Sequence, residues 1–203
     1  FVKQIEIIPS EPYSWANFKD FPSIDNSGIY FWSITYDKQQ LIFYVGMTKN
    51  FKRRMNQHLE SYTSGFYQVF DSRNFLRGIR KHVWIGKWRY NLALRNKDID
   101  EETFNKALEE YELKKEFHEQ ERINFLDTMK LYFFPIPESE RNLKRIETAL
   151  ALNICYKGGV GINFQEPMTV GSYFRELKRD FEEPLVLTIK DNIFFNLDSK
   201  ISA

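Results

Sequence analysis

Polar and apolar residues alternate from Lys3 to Ile8 with the period of a half-buried strand. A proline-containing connection, Ser10 to Asp20, leads into two runs rich in β-branched and aromatic residues, Ile29 to Tyr36 and Leu41 to Gly46. The polar tetrapeptide Asp37-Lys38-Gln39-Gln40 between them predicts a β-hairpin. Thr48 is placed to cap a proline-free helix from Lys49 to Glu60. Phe66 to Leu94 is mixed and aromatic, with Trp84 and Trp88 four apart. From Asp100 to Tyr132, a recurring apolar stripe (Phe104, Leu108, Tyr111, Phe117, Ile123, Leu126) predicts one long charged helix, ended by Pro135 and Pro137. A further helix from Ser139 to Ile154 places Leu143, Ile146, Leu150 and Ile154 on one side. Beyond the glycine-rich loop at Gly158, Gly159 and Gly161, the pattern predicts a helix from Ser172 to Phe181. It then predicts a hairpin of Leu185 to Ile189 and Ile193 to Leu197, turning at Asp191-Asn192.

These elements predict an α+β fold. A small antiparallel or mixed three-stranded sheet flanked by helices carries a long, largely helical insertion and a C-terminal helix plus hairpin. One domain over 1–203 is expected, with a core of about 24–65 and 139–166, an insertion over about 66–138 and an extension over 167–203. Hydrophobic residues at 42% and aromatic residues at 17% supply a real core and exclude a disordered chain. The single cysteine, Cys155, excludes an internal disulfide and suits a reducing compartment. No apolar run approaches the ~20 residues of a membrane span and no secretory leader opens the chain. A soluble, cytoplasmic protein is expected.

Charge changes the picture once it is divided along the chain. The total of +1 conceals a segment from Lys49 to Arg95 in which eleven basic residues face only Glu60 and Asp71, a net +9. From Asn96 to Glu140, six basic and thirteen acidic residues give −7. A basic block of this kind is the footprint of a polyanion-binding face, although pairing between the two halves would also account for it.

Tyr30 and Tyr44 fall on the two predicted hairpin strands, where they can share one face. Gly28 and Gly46 beside them permit close approach of another group. A phenol acts as a general base near neutral pH only with positive charge nearby. Arg54 and His58, spaced i,i+4 on the following helix, share one face and offer that charge. A guanidinium can hold a phosphate bidentately, and His58 could bond a tyrosine hydroxyl and take or relay its proton. A surface histidine remains the plainer reading of His58 taken alone; His82 and His118 have no comparable neighbours. Glu147 is the only acid between Asn142 and Ile154, among Ile146, Ala149, Leu150 and Ala151. It fits either a hard divalent ion or a structural glutamate paired with Lys144 or Arg145.

Gly28-Ile29-Tyr30, Tyr44-Val45-Gly46, Thr48, the Arg54 to His58 pair, Glu147 and Asn163 stand in an order that resembles the GIY-YIG endonuclease family, with Val in place of Ile in the second signature. The resemblance covers about Ile24 to Glu166. It implies a metal-dependent DNA endonuclease of the stand-alone restriction, phage or mobile-element kind, using one Mg²⁺ or Mn²⁺. By that resemblance Tyr30, as phenolate, would deprotonate water, with Tyr44 and His58 arranging the protons. Arg54 would bind the scissile phosphate, Glu147 would hold the metal, and Asn163 would orient local groups. Asn153 competes with Asn163 for the last position. The interval from His58 to Glu147 is long for the family, which is why Phe66 to Glu138 reads as an insertion. Its Arg73, Arg77, Arg80 and Lys81, with Lys49, Lys52 and Arg53, are the expected DNA contacts. A homodimer would serve a coordinated double-strand cut. A catalytically silent nucleic-acid-binding module of the same fold, and a repair or structure-specific nuclease, are the alternatives. The complete set of Tyr30, Arg54, His58 and Glu147 speaks against the first. One cysteine and three histidines leave no zinc module for the second.

Overall fold

Alternation along Gly28–Tyr36 sends Ile29 and Phe31 to one face of a strand and Tyr30 and Trp32 to the other, and all four are buried. A strand apolar on both faces must be covered on both faces, and this requirement organises the first of two compact units, residues 1–52 with 129–203. The second unit is residues 53–128. The structure, a computed structural model, describes residues 2–9, 11–21, 26–156 and 177–203.

In the first unit, β2 (Gly28–Tyr36) is the middle strand of an antiparallel sheet in the order β3-β2-β6, with β3 (Gln39–Thr48) and β6 (Met129–Pro135) beside it. Asp37 and Lys38 close the β2–β3 hairpin with φ of 45° and 64°, matching the twist of the strands they join. Helix α6 (Glu140–Tyr156) lays Leu143, Ile146, Leu150 and Ile154 against Ile29, Phe31, Ile42, Val45, Tyr132 and Phe134. A second sheet, in the order β1-β7-β8 (Lys3–Ile7, Leu185–Ile189, Lys200–Ser202), brings Ile7, Leu185, Leu187, Ile189 and Ile201 into the same core. Each such side chain, fully buried, contributes about 1.5–3 kcal/mol before entropy is counted.

The other face of the central sheet is aromatic. Phe51 stacks on Phe133 at 4.7 Å and on Phe21 at 5.6 Å, and Trp15 meets Trp32 edge-on at 6.2 Å. Both sides of this sheet are also capped. Tyr13 exchanges backbone bonds with Leu131 of β6 at 2.8 and 2.9 Å. Opposite, the Asn196 amide accepts from the Ile42 N–H at 3.0 Å and donates to the Ile42 carbonyl at 2.7 Å, and the Phe195 N–H donates to the Gln40 carbonyl at 3.1 Å.

The second unit holds most of α1 (Phe51–Thr63) and a short ribbon of β4 (Val69–Phe70) with β5 (His82–Trp84). It also contains α2 (Ser72–Phe75), α3 (Lys87–Arg95), α4 (Glu101–Leu113) and α5 (Lys115–Asp127). Its core is largely aromatic, with Phe125 in ring contact with Tyr62, Phe70 and Phe75, and Phe70 stacked on Phe75. Nearby, Trp84 packs against Tyr111 with ring centroids 4.4 Å apart and donates from Nε1 to the Gly65 carbonyl at 2.7 Å. Among the described residues, no helix is long and apolar enough to cross a membrane.

The α+β class and the small three-stranded sheet agree with expectation, and several local readings do not. The single helix expected over Asp100 to Tyr132 is two helices and a strand. Lys114, at φ −106° and ψ 23°, breaks the helical register, so Phe117 and Ile123 leave the buried stripe and are exposed. Met129–Pro135, expected as helix end and insertion, is instead the third strand of the central sheet. Leu185–Ile189 pairs with Lys200–Ser202 and, in parallel, with Lys3–Ile7; Ile193 to Leu197 forms no strand there. Its residues instead cap β3, where Phe194 makes a single parallel bridge to Gln40. Thr48 is the last residue of β3 rather than a helix cap, its hydroxyl accepting from the Asn50 N–H at 3.0 Å. The expected helix over Ser172 to Phe181 lies mostly outside the described residues, and its described end, 177–181, is not helical.

Candidate active site

The first unit brings Tyr30, Tyr44, Gly46 and Glu147 to one stretch of β3. Tyr30 and Gly46 are register partners, as are Trp32 and Tyr44. The Tyr30 ring lies directly over the Gly46 backbone: a Cβ built at position 46 would stand 2.3 Å from both Cζ and Oη of Tyr30. No other residue type fits there. Gly28 is closed off differently, since a Cβ there would meet the Phe134 carbonyl oxygen at 2.2 Å. Tyr30 is 1% exposed, hemmed in by Tyr44, Trp32 and Phe51 with ring centroids at 6.0, 6.5 and 6.4 Å. Tyr44 is half-buried and packs at 4.5 Å on Trp32. Burial on all sides fixes the Tyr30 ring against rotation, and Gly46 lets its hydroxyl reach the backbone of β3.

Glu147 arrives at the next residue of that strand. Its Oε1 accepts from the Met47 N–H at 3.1 Å. The two basic residues nearest to it in sequence have partners of their own. Lys144 pairs with Glu140, while Arg145 donates to the carbonyls of Glu183 and Ala203, both at 2.8 Å. A carboxylate with two oxygens has acceptor capacity beyond one amide. Among the described residues, no group of three His, Cys, Asp or Glu side chains is arranged to hold a metal ion. The half-buried Glu147 carboxylate is of the type that could take a hard divalent ion keeping most of its waters.

In the second unit, Arg54 and His58 lie one turn apart on α1, with Arg54 donating to Gln57 Oε1 at 3.2 Å. His58 is 1% exposed, and its Nδ1 lies 3.3 Å from the Tyr67 hydroxyl. Burial, and then the Arg54 guanidinium, push its pKa down to about 3, so the imidazole is neutral at physiological pH. His58 is therefore a buried, bonded histidine, and Tyr67 is a tyrosine that meets it. The sequence does not single out Tyr67, nine positions from His58. The contact depends on the turn after α1, where the Tyr67 N–H donates to the Ser61 carbonyl at 3.0 Å. His82 also has a partner, with Nε2 3.1 Å from Gln68 Oε1. His118 stacks on Tyr111 at 4.8 Å.

Asn163 lies outside the described residues. Asn153, the competing asparagine, is committed to Asp198: its amide nitrogen donates to the carboxylate at 2.6 Å and its oxygen accepts from the backbone N–H at 3.0 Å. Of the expected DNA contacts in the first unit, Lys49 pairs with Glu140 at 2.8 Å and Lys52 is half-buried. In the second unit Arg53, Arg73, Arg77 and Lys81 are exposed, and the Arg80 guanidinium sits 5.5 Å from the centre of the Phe70 ring.

The model of the GIY-YIG catalytic domain matches residues 26–150, a span that contains Tyr30, Tyr44, Arg54, His58 and Glu147 and stops short of Asn163. No curated protein and no solved structure matches the chain. A match over more than half of the 203 residues, on a fold whose central strands seat the signature tyrosine on the signature glycine, places this chain in the GIY-YIG nuclease family.

Proposed function

We propose that the chain is a metal-dependent DNA endonuclease of the restriction, phage or mobile-element kind. The observation that carries this reading is the seating of Tyr30 over Gly46 with the Glu147 carboxylate bonded to the next residue, Met47. A phenol from β2 and a carboxylate from α6 thus reach neighbouring residues of β3. Tyr30, as phenolate, takes the proton of the attacking water, and Tyr44 beside it orders the hydroxyl network. Arg54 holds the scissile phosphate with its planar guanidinium and offsets the charge that builds there. His58, neutral and oriented by Tyr67, accepts or relays a proton without adding charge. Glu147 would hold one Mg²⁺ or Mn²⁺, which would supply Lewis-acid stabilisation of the leaving oxygen. Asn163 orients local groups. Lys52, Arg53, Arg73, Arg77, Arg80 and Lys81 supply backbone contacts to DNA, with Lys49 released from Glu140; an exposed pair of that kind is worth only about 0–1 kcal/mol.

Plasmid nicking by purified protein with Mg²⁺ or Mn²⁺ tests the reading, beside EDTA and Glu147→Ala controls. Metal-dependent cutting that the variant lacks supports it, with discrete linear products marking a sequence-specific enzyme. Intact plasmid with salt-sensitive DNA binding would replace it by the silent binding module.

A further inference from the structure

In the second unit, the β4–β5 ribbon ends in a projection of unusual make-up. Phe70 and His82 are paired across the ribbon, and the Asp71 N–H donates to the Lys81 carbonyl at 2.8 Å, closing the base. Between them Asp71 caps α2, its carboxylate accepting from the Asn74 N–H at 2.8 Å. The helix ends at once in a tight reversal. The Gly78 N–H returns to the Phe75 carbonyl at 3.0 Å and the Ile79 N–H to the Asn74 carbonyl at 2.9 Å, with Gly78 at φ +79°. This pair of bonds around a left-handed glycine is a Schellman stop, which makes the tip a defined shape rather than a loose loop. Its root is equally firm, since Phe75 is 1% exposed, stacks on Phe70 at 5.2 Å and meets Phe125 edge-on at 5.1 Å.

This rigid reversal directs two aliphatic side chains outward: Leu76 is 39% exposed and Ile79 is 50% exposed. Single exposed aliphatics need no explanation, but these two sit three residues apart in a segment, Ser72 to Lys81, with four basic residues and no acid. Arg73, Arg77 and Lys81 are exposed and form no ion pair among the described residues. The Asp71 carboxylate at the base attracts Arg73 and Lys81. Beyond it, an apolar tip in a basic segment is complementary to a polyanion with an apolar interior behind its charged rails. Duplex DNA has that construction, and apolar wedges between base steps, entering from the minor groove, are a recurrent way of kinking it.

We propose that Leu76 and Ile79 form a wedge that inserts between base steps of duplex DNA, with Arg73, Arg77 and Lys81 holding the flanking phosphates. The proposal rests on the reading of the chain as a DNA nuclease and adds the mode of engagement: the enzyme deforms the duplex it binds.

A wedge unwinds DNA, so the test is topological. Closed circular plasmid is bound by the full chain in EDTA, where cutting is off, and relaxed with a metal-independent topoisomerase. The shift in linking number is then read on a gel. Wild-type protein should lower the linking number in proportion to protein bound. Leu76→Ala with Ile79→Ala, both at exposed positions, should abolish the shift while filter-binding affinity falls less than tenfold. Replacing Arg73, Arg77 and Lys81 by Gln should flatten the plot of log affinity against log salt by about 2.7, near 0.9 for each phosphate no longer neutralised. No shift from wild-type protein at saturation, or an undiminished shift from the Leu76/Ile79 variant, overturns the wedge. Metal-dependent nicking of the same plasmid is scored in parallel: nicking without a shift sinks the wedge alone, and a shift without nicking sinks the nuclease reading alone.

Discussion

The ring of Tyr30 occupies the space that any side chain at position 46 would need, with its hydroxyl 2.3 Å from where a Cβ of residue 46 would stand. The two signature elements of the family are thus one packing unit. Gly46→Ala should therefore act through Tyr30. Because Tyr30 is enclosed by Tyr44, Trp32 and Phe51, the ring cannot simply swing aside. We expect plasmid cleavage to fall at least about 100-fold, as a misplacement near 1 Å can cost, while DNA binding holds within a few fold. Retained cleavage in Gly46→Ala would show that the seating does not matter to chemistry.

Glu147 has two separable duties, an amide acceptor for Met47 and a charge. Glu147→Gln keeps an oxygen for the Met47 N–H and removes the charge. It should melt within a few degrees of wild type and show no metal-stimulated cutting. A variant that cuts normally with Mg²⁺ would leave the carboxylate with a structural role only.

Tyr67 positions His58. If the phenol donates to Nδ1, the imidazole proton resides on Nε2, and Tyr67→Phe removes that constraint on the tautomer. Cleavage should drop about tenfold with an altered pH–rate profile and an unchanged far-UV spectrum. An unaltered profile would reduce the 3.3 Å contact to packing.

Acid should destabilise the protein before its carboxylates titrate. His58 is held neutral, with a pKa of about 3 in the folded chain against 6.5 unfolded. Between those values the unfolded chain binds the proton and the folded chain does not. Stability is fully present above about pH 6.5 and falls as pH drops toward 3, by up to about 1.4 kcal/mol per unit. His82 and His118 shift in the same direction, chiefly by burial, and add to the slope. Urea melts from pH 7 to 5 measure it, and His58→Gln should flatten the dependence.

The sequence exposes some of this site and hides the rest for identifiable reasons. Ile29 to Tyr36 and Leu41 to Gly46 are legible because β-branched and aromatic runs with a polar turn have few other solutions. Met129–Pro135 is hidden because its continuous run, buried on both faces, joins the helix before it with no glycine or proline between. The break at Lys114 lies in a charged stretch without a breaker residue, so periodicity runs through it. Glu147 stands out as an acid among apolar residues, yet its hold on Met47 spans 100 positions and only the fold creates it. Tyr67 escapes notice because a contact nine residues away follows neither helical nor strand spacing.

Asn196 offers a test of the same lesson at the far end of the chain. Its amide serves both backbone groups of Ile42, 154 residues earlier. Asn196→Ala leaves a buried donor and a buried acceptor without partners and should cost about 2–4 kcal/mol in a denaturant melt. Asn196→Asp, which keeps the acceptor and loses the donor, should be damaging too.

That clasp at Ile42, together with Tyr13 bonded to Leu131 on the opposite side, has a bearing on growth of the sheet. Strands with bare flanks recruit strands from other molecules, the common start of runaway association. Here a side chain and a crossing segment occupy those flanks, so the three strands form a finished unit. A strand from a second copy would have to displace those contacts to pair at Ile42 or Leu131, beside the hairpin that seats Tyr30.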